Sequence, residues 1–152
     1  MQTKKIEDIF NEVLSGEVLK NALGFMKFLN ENGIIQANQH SMHYKNKCVC
    51  YIDVFNDIPS WAVWTAGDYN REREDFPIDE PTKKIAWSHA NKCGNCDGMV
   101  CNPGKAKTIF GKEFGNICNG ADVDMVFDNP NGEALNALKK LVKMKMYIID
   151  NG

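Results

Sequence analysis

The stretch Lys47-Cys-Val-Cys-Tyr-Ile-Asp-Val-Phe55, followed by Asn56-Asp-Ile-Pro59 and Ser60-Trp-Ala-Val-Trp-Thr-Ala-Gly67, decides the fold of this chain. Its first segment alternates, which sets Cys48, Cys50 and Ile52 on one face of a strand. The last segment is rich in residues that favour strands, and the asparagine and proline between the two segments are typical of a turn. The pattern therefore predicts an antiparallel hairpin of Cys48–Phe55 and Trp61–Ala66.

The chain shows helical periodicity both before and after this predicted hairpin. Two apolar stripes at helical spacing precede it, the first from Ile6 to Leu14 and the second from Val18 to Leu29. After it, Asp122–Phe127 alternates as a third strand, and leucines recur at helical spacing from Glu133 to about Tyr147. We therefore expect a single α+β domain, 1–152, in which a small antiparallel sheet of three or more strands packs against N- and C-terminal helices.

The segments between these elements give weaker signals. Residues 34–46 are polar and irregular, which favours a surface connection. The mixed charge run from Arg71 to Asp75 is typical of a solvated surface, and it contains both arginines of the chain, Arg71 and Arg73. Guanidinium recognition of phosphate or carboxylate is therefore confined to that run. Asp79 is placed to cap a short helix from Glu80-Pro81 to about Ala90.

Composition and charge narrow the class of protein. The 152 residues are 43% hydrophobic and 25% charged, as in an ordinary globular domain. The 18 lysines and arginines against 20 acidic residues give a net charge of −2, which argues against a nucleic-acid partner. No apolar run approaches the roughly 20 residues of a membrane span, which argues against a membrane partner. The expected partner is an unknown protein or small molecule, and the sequence leaves the oligomeric state open.

The first residues, Met1-Gln-Thr-Lys-Lys-Ile-Glu-Asp8, have acidic side chains where a signal peptide would have its apolar region. We therefore expect a cytoplasmic protein. Cysteines in that compartment are usually kept reduced, so clustered cysteines there are more often metal ligands or catalytic thiols than disulfides.

Four cysteines form the spacing in this chain that most clearly indicates chemistry: Cys93-x2-Cys96-x4-Cys101-x16-Cys118. A Cys-x2-Cys pair on a glycine-containing turn lets two thiolates point at one centre, and the other two cysteines are placed to complete a tetrahedron. Four thiolates at about 2.3 Å suit Zn²⁺, and His89 is a reserve ligand. Because protein atoms would fill all four positions, no site is left for an activated water, and the predicted zinc is structural.

The cysteines lie in a predicted cysteine-rich insertion, 89–120, between the second and third strands. We expect this crossover to be irregular, and it is longer than compact domains usually tolerate without organisation of its own. A bound metal would supply that organisation. The expected function is therefore a non-catalytic binding role for a small metal-binding domain, with no catalytic residue and no cofactor site other than the metal.

Two alternatives stay open. The same thiols could hold an iron–sulfur cluster, or Cys93 and Cys96 could act as a redox dithiol with a lowered pKa. The second alternative is a small-molecule sensor with an aromatic pocket built from Trp61, Trp64 and Tyr69. No phosphate loop, nucleophile elbow or dinucleotide fingerprint accompanies these residues. Cys48 and Cys50, which share a strand face, are interpreted as core residues.

The run from Cys93 through Phe114, with its Pro-Gly-Lys and Ile-Phe-Gly-Lys-Glu-Phe motifs, is followed later by Asn-Pro before a leucine- and lysine-rich helix. In these features the chain resembles a group of small cysteine-rich bacterial proteins to which no function is assigned. The order of its elements also resembles, as an analogy of fold only, small α+β domains of the YjbR and YdhG type. Neither resemblance implies an activity.

Overall fold

A computed structural model describes residues 4–66, 69, 73–91, 105–117 and 123–151. Within these ranges the chain forms, in order, α1 (Ile6–Val13), α2 (Gly16–Glu31), β1 (Ile35–Gln36), β2 (Ser41–Tyr44), β3 (Lys47–Phe55), β4 (Ser60–Ala66), α3 (Glu80–Ser88), β5 (Lys105–Ile109), β6 (Lys112–Ile117), β7 (Val123–Asp128) and α4 (Gly132–Asn151). The predicted α+β class is confirmed. No helix in the described ranges is long and apolar enough to cross a membrane.

The main sheet is antiparallel and has five strands, in the order β1-β2-β3-β4-β7. The predicted hairpin is confirmed as β3 and β4, which are neighbours in this sheet. The predicted third strand is confirmed as β7, which lies beside β4. A second sheet consists of β5 and β6. Five strands agree with the predicted sheet of three or more, and the two strands that the sequence did not locate, β1 and β2, lie at one edge.

Those two strands correct the prediction of an irregular connection over residues 34–46. β2 pairs with β3, so that Met42 is opposite Cys50, and β1 pairs in turn with β2. Lys45 and Asn46 form the tight turn between β2 and β3 with φ angles of 49° and 66°, the positive values that a two-residue hairpin turn requires. The strands have two and four residues, too few for an alternating pattern to be recognised.

The described chain divides into two compact units. The helix–sheet unit comprises Met1–Val63 and Phe127–Gly152, and the hairpin unit comprises Trp64–Val126. The predicted insertion, 89–120, falls inside the hairpin unit, and the single-domain organisation stays a prediction.

The core of the helix–sheet unit is aromatic and aliphatic. α1 and α4 both pack on β3, and α2 packs on α1 and α4. The Trp61 ring is 1% exposed and lies 5.6 Å from the Phe10 ring and 6.0 Å from the Phe25 ring, between centroids. Asn129 fixes the Trp61 backbone, since its Oδ1 accepts from Trp61 N–H and its own N–H donates to Trp61 O. The apolar stripes of α1 and α2 thus face the core that their periodicity predicted.

The hairpin unit is built around β5 and β6, and it corrects the prediction of an irregular crossover. Lys105–Ile117 forms a hairpin whose turn residues, Phe110 and Gly111, have φ angles of 45° and 80°. Phe110 N–H donates to Tyr69 O at 2.8 Å, and Trp87 Nε1–H donates to Ile109 O at 2.7 Å. The β5–β6 hairpin and these hydrogen bonds therefore order part of the crossover, whose organisation was predicted to come from a bound metal.

Candidate functional site

The predicted metal ligands Cys93, Cys96, Cys101 and Cys118 lie outside the described residues, so the cysteine-rich knuckle stays a prediction. Among the described residues, no group of three or more histidine, cysteine, aspartate or glutamate side chains is arranged to hold a metal ion. What the structure does define is where the chain enters and leaves the segments that carry these four cysteines.

The first of these segments begins beside β7. Asn91 N–H donates to Asp124 O at 2.9 Å, and Val126 N–H donates to His89 O at 3.0 Å. Ala90 and Met125 are antiparallel bridge partners between these two hydrogen bonds. Residues 89–91 are therefore held along β7, the strand to which the chain returns after Cys118.

The second anchor is the open end of the β5–β6 hairpin. Lys105 and Ile117 are Cα partners there, so the chain arriving from Cys101 and the chain leaving towards Cys118 are adjacent. Lys107 Nζ lies 3.6 Å from Asp124 Oδ1, and the Asp124 side chain is only 8% exposed. This ion pair links β5 to Asp124, the residue of β7 whose backbone carbonyl accepts the hydrogen bond from Asn91. The ends of all the cysteine-bearing segments thus converge on one part of the hairpin unit.

His89, the reserve ligand, lies at the C-terminal end of α3. Its Nδ1 is 2.9 Å from Ile85 O, a distance that fits donation of the Nδ1 proton to that carbonyl. In this tautomer the lone pair of the ring is on Nε2. A carbonyl that binds one ring nitrogen commonly orients a histidine for metal ligation through the other. Ser88 Oγ lies 3.1 Å from the same Nδ1, so this nitrogen is engaged within α3, and the role of His89 as a reserve ligand stays a prediction.

Cys48 and Cys50 have environments unlike those of reactive thiols. Cys50 is 1% exposed, and burial raises the pKa of its thiol far above the usual range. Burial also raises the pKa of the half-buried Cys48 thiol, although Tyr51 and Lys145 partly oppose that shift. Cys48 Sγ donates a weak hydrogen bond to Cys50 O at 3.6 Å. Both thiols stay protonated near neutral pH, and Cys50 packs in the core.

Two of the three residues of the predicted aromatic pocket are buried. Trp61 and Tyr69 are each 1% exposed, and Trp64 is half-buried. Trp61 belongs to the core of the helix–sheet unit. The Tyr69 ring packs edge-on against the Phe110 ring, 6.1 Å away between centroids, in the hairpin unit. The geometry of Trp61 and Tyr69 therefore favours packing over the stacking of a ligand.

Sequence reasoning missed a cleft in the hairpin unit. It has a volume of about 180 Å³ and is lined by Arg73, Glu74, Pro77, Ile78, Lys83 and Phe110. The charge run was interpreted as a solvated surface, yet Arg73 within it is half-buried. Lys83, which lies outside that run in α3, is 8% exposed. The sequence feature that could have indicated the cleft is that both arginines of the chain lie in that run.

Comparison with known protein families, curated proteins and solved structures found no match for this chain. The resemblances drawn from its motifs and element order therefore stay predictions.

Proposed function

We propose that the protein is a non-catalytic metal-binding domain in which Cys93, Cys96, Cys101 and Cys118 hold one structural Zn²⁺. The observation that carries this proposal is the convergence of the chain at both ends of the cysteine-bearing segments. Asn91 is bonded to Asp124 of β7, and Lys105 is paired with Ile117. Without such anchors, four cysteines spread over 26 residues of chain would have to be collected entirely by the metal.

Chain length limits how far these cysteines can be from the anchors. Cys93 is two residues after Asn91, Cys101 is four residues before Lys105, and Cys118 directly follows Ile117. At no more than about 3.6 Å per residue, their Cα atoms are tethered within about 7, 14 and 4 Å of the anchoring Cα atoms, respectively. Cys96 lies between Cys93 and Cys101 in the chain. This tethering lowers the entropy that metal binding must remove, which supports a shared site.

Four thiolates complete the tetrahedral coordination that zinc prefers, so the chemistry of the bound metal is structural rather than catalytic. Its role would be to join the end of α3, the open end of the β5–β6 hairpin and the start of β7. The ion pair of Lys107 with Asp124 supports that role, since it already links two of these three elements. A cytoplasmic location belongs to the same proposal, because thiols that stay reduced there can bind metal.

The test is to purify the full chain without oxygen and measure its metal content and visible spectrum. We expect one zinc per chain and no colour. Changing Cys93, Cys101 or Cys118 singly to serine should abolish zinc retention, whereas Cys48→Ser, which removes a half-buried thiol of β3, should leave it intact. His89→Gln distinguishes the fourth ligand, since the variant keeps zinc if Cys118 fills that position.

Two outcomes would overturn this proposal. A brown sample that absorbs in the visible would indicate an iron–sulfur cluster on the same cysteines. A protein free of metal whose Cys93 and Cys96 are alkylated quickly near neutral pH would indicate a redox dithiol. Cys48 and Cys50 are the internal reference in that assay, because their raised pKa values predict slow alkylation.

A further inference from the structure

The cleft in the hairpin unit has the size of a small-metabolite site. Its volume of about 180 Å³ equals the liquid volume of about six water molecules. Drug-sized ligands occupy pockets of about 300 Å³ or more, so this cleft suits a molecule of roughly ten non-hydrogen atoms. One part of its lining is apolar, from Pro77, Ile78 and Phe110, and another is cationic, from Arg73 and Lys83.

The Phe110 wall is held in a costly backbone conformation. Phe110 has a φ of 45°, which is a rare and unfavourable conformation for a bulky residue. A two-residue turn of this kind favours asparagine or glycine at that position. Phe110 is nevertheless 2% exposed, packs on Tyr69 and donates its N–H to Tyr69 O. The chain thus accepts strain at the one turn residue whose side chain forms the apolar wall.

The cationic part of the lining contains an unmet hydrogen-bond donor. Arg73 Nε is buried and has no hydrogen-bond partner. Leaving a buried donor unsatisfied is unfavourable, more so for a charged group, and a functional role or a bound ion is among the explanations for such a group. The Lys83 side chain, from α3, is largely buried, and its Nζ lies 3.2 Å from Oε1 of the exposed Glu80. Both cations therefore line the cleft with little access to bulk water.

We propose that this cleft binds a small organic acid, with its carboxylate on Arg73 and Lys83 and its apolar body against Pro77, Ile78 and Phe110. A guanidinium can bind a carboxylate through two parallel hydrogen bonds, and in the side-on arrangement one of them is donated by Nε. A phosphate fits less well, because its larger charge would meet Glu74 on the cleft lining and its three oxygens need more donors. The described lining residues on which this inference rests are not proposed zinc ligands, so the inference does not depend on the metal.

The test uses phenylacetate, which has ten non-hydrogen atoms, and phenylacetamide as its neutral isostere. The two arginines of the chain should give two Nε–Hε signals in a ¹H–¹⁵N spectrum, and Arg73→Lys identifies the one from Arg73. We expect phenylacetate to move the Arg73 signal with a dissociation constant of about 1 mM or tighter. Phenylacetamide should bind at least about tenfold more weakly, since it lacks the charge.

Matched variants separate the site from general surface charge. Lys83→Met and Arg73→Gln should each weaken phenylacetate at least about tenfold. Lys84→Met, at the neighbouring and exposed position of α3, should leave the dissociation constant unchanged. An Arg73 signal that stays fixed, equal binding of the amide, or tighter binding of inorganic phosphate would each overturn the proposal.

Discussion

The helix–sheet unit and the hairpin unit of this chain are stabilised by different means. The first buries a continuous set of large apolar side chains, including Phe10, Phe25 and Trp61, contributed by helices and a sheet. The second buries Tyr69, Phe110 and several polar groups, and it is linked by ion pairs and by side-chain hydrogen bonds to the backbone. The hydrophobic effect is non-directional and depends on the apolar area buried, whereas the polar links of the second unit require particular donor and acceptor atoms at particular distances.

The largest effect is expected where packing dominates. Trp61→Ala removes a ring that is 1% exposed and that contacts two other aromatic rings, so it should lower the free energy of unfolding by about 3–5 kcal/mol. Ile58→Ala, at a side chain that is 80% exposed, is the control and should stay within about 0.5 kcal/mol. Urea unfolding measures both. A loss below about 1 kcal/mol for Trp61→Ala would show that this unit does not depend on its aromatic core.

The next effect tests the polar links. Thr65 Oγ1 accepts from Met125 N–H at 3.1 Å and donates to Met125 O at 3.3 Å, and both residues are buried. Thr65→Val keeps the shape but leaves two buried backbone groups without this hydroxyl, so a loss of about 1–3 kcal/mol is expected. Thr65→Ser keeps the hydroxyl and should lose less.

Amide hydrogen exchange locates that effect. Protection should fall in 105–117 and 123–126 for Thr65→Val, because Thr65 and Met125 both belong to the hairpin unit. A valine variant as stable as the serine variant would mean that the hydroxyl contributes nothing, and the contrast between the two units would fail.

A glycine-to-alanine substitution should stabilise the protein at one position of the helix–sheet unit and destabilise it at one position of the hairpin unit. Gly24 lies on the exposed side of α2, and a Cβ there meets no atom within 4 Å, so Gly24→Ala should stabilise the protein by up to about 1 kcal/mol. Gly111 has a φ of 80°, which strains any L-residue, so Gly111→Ala should destabilise it by about 1–2 kcal/mol. Thermal unfolding of the two variants decides the signs. Equal shifts would contradict the assignment of a left-handed turn to Gly111.

The smallest effect is expected from removing an exposed ionic contact in the helix–sheet unit. Lys45 and Tyr44, at the β2–β3 turn, both donate to the Asp150 carboxylate near the end of α4. The hydrogen bond from Lys45 is the main cause that holds the pKa of Asp150 below its ordinary value, and the same contact raises the pKa of Lys45. A carboxyl with a lowered pKa stabilises the fold above its unfolded-state value, and that contribution disappears as the pH falls through the folded-state value.

Asp150→Asn should therefore lower the melting temperature slightly at pH 6. The difference from the parent protein should vanish as the pH is lowered below about 4, the ordinary value for aspartate. For Lys45, whose pKa is raised, the contribution is present below about pH 10.4 and is lost as the pH rises through the folded-state value. Melting curves from pH 2 to 7 test the acid limb, and a difference that does not change with pH would contradict it.

How far the sequence predicts structure differs between the two units. In the helix–sheet unit, stripes of eight or more residues correctly located the helices, and the alternation of Lys47–Phe55 located its strand. In the hairpin unit, the sequence predicted α3 but missed β5 and β6. Their pairing is decided by the Phe110-Gly111 turn, where phenylalanine stands at a position that normally carries asparagine or glycine. A turn without its usual residues gives no local signal.

The candidate sites show the same division. The sequence predicted four cysteine ligands from spacing alone, and these stay a prediction. It did not find the cleft, because Arg73, Lys83 and Phe110 are separated along the chain and have no shared motif. It offered Trp61, Trp64 and Tyr69 as a third hypothesis for a ligand pocket. In the structure the Trp61 ring packs against Phe10 and the Tyr69 ring packs against Phe110.

The sequence by itself determined the α+β class, the main helices and the central β3–β4 hairpin, because side-chain periodicity is a short-range property that each segment carries alone. Only the tertiary structure decided that β7 lies beside β4, that β1 and β2 extend the sheet, and that Asn91 is bonded to Asp124. The pairing of β7 with β4 and the bond of Asn91 to Asp124 join residues far apart in the chain, and β1 and β2 are too short to carry a pattern of their own. The free energy of burying and hydrogen-bonding them depends on which partners meet, and no single segment contains that information.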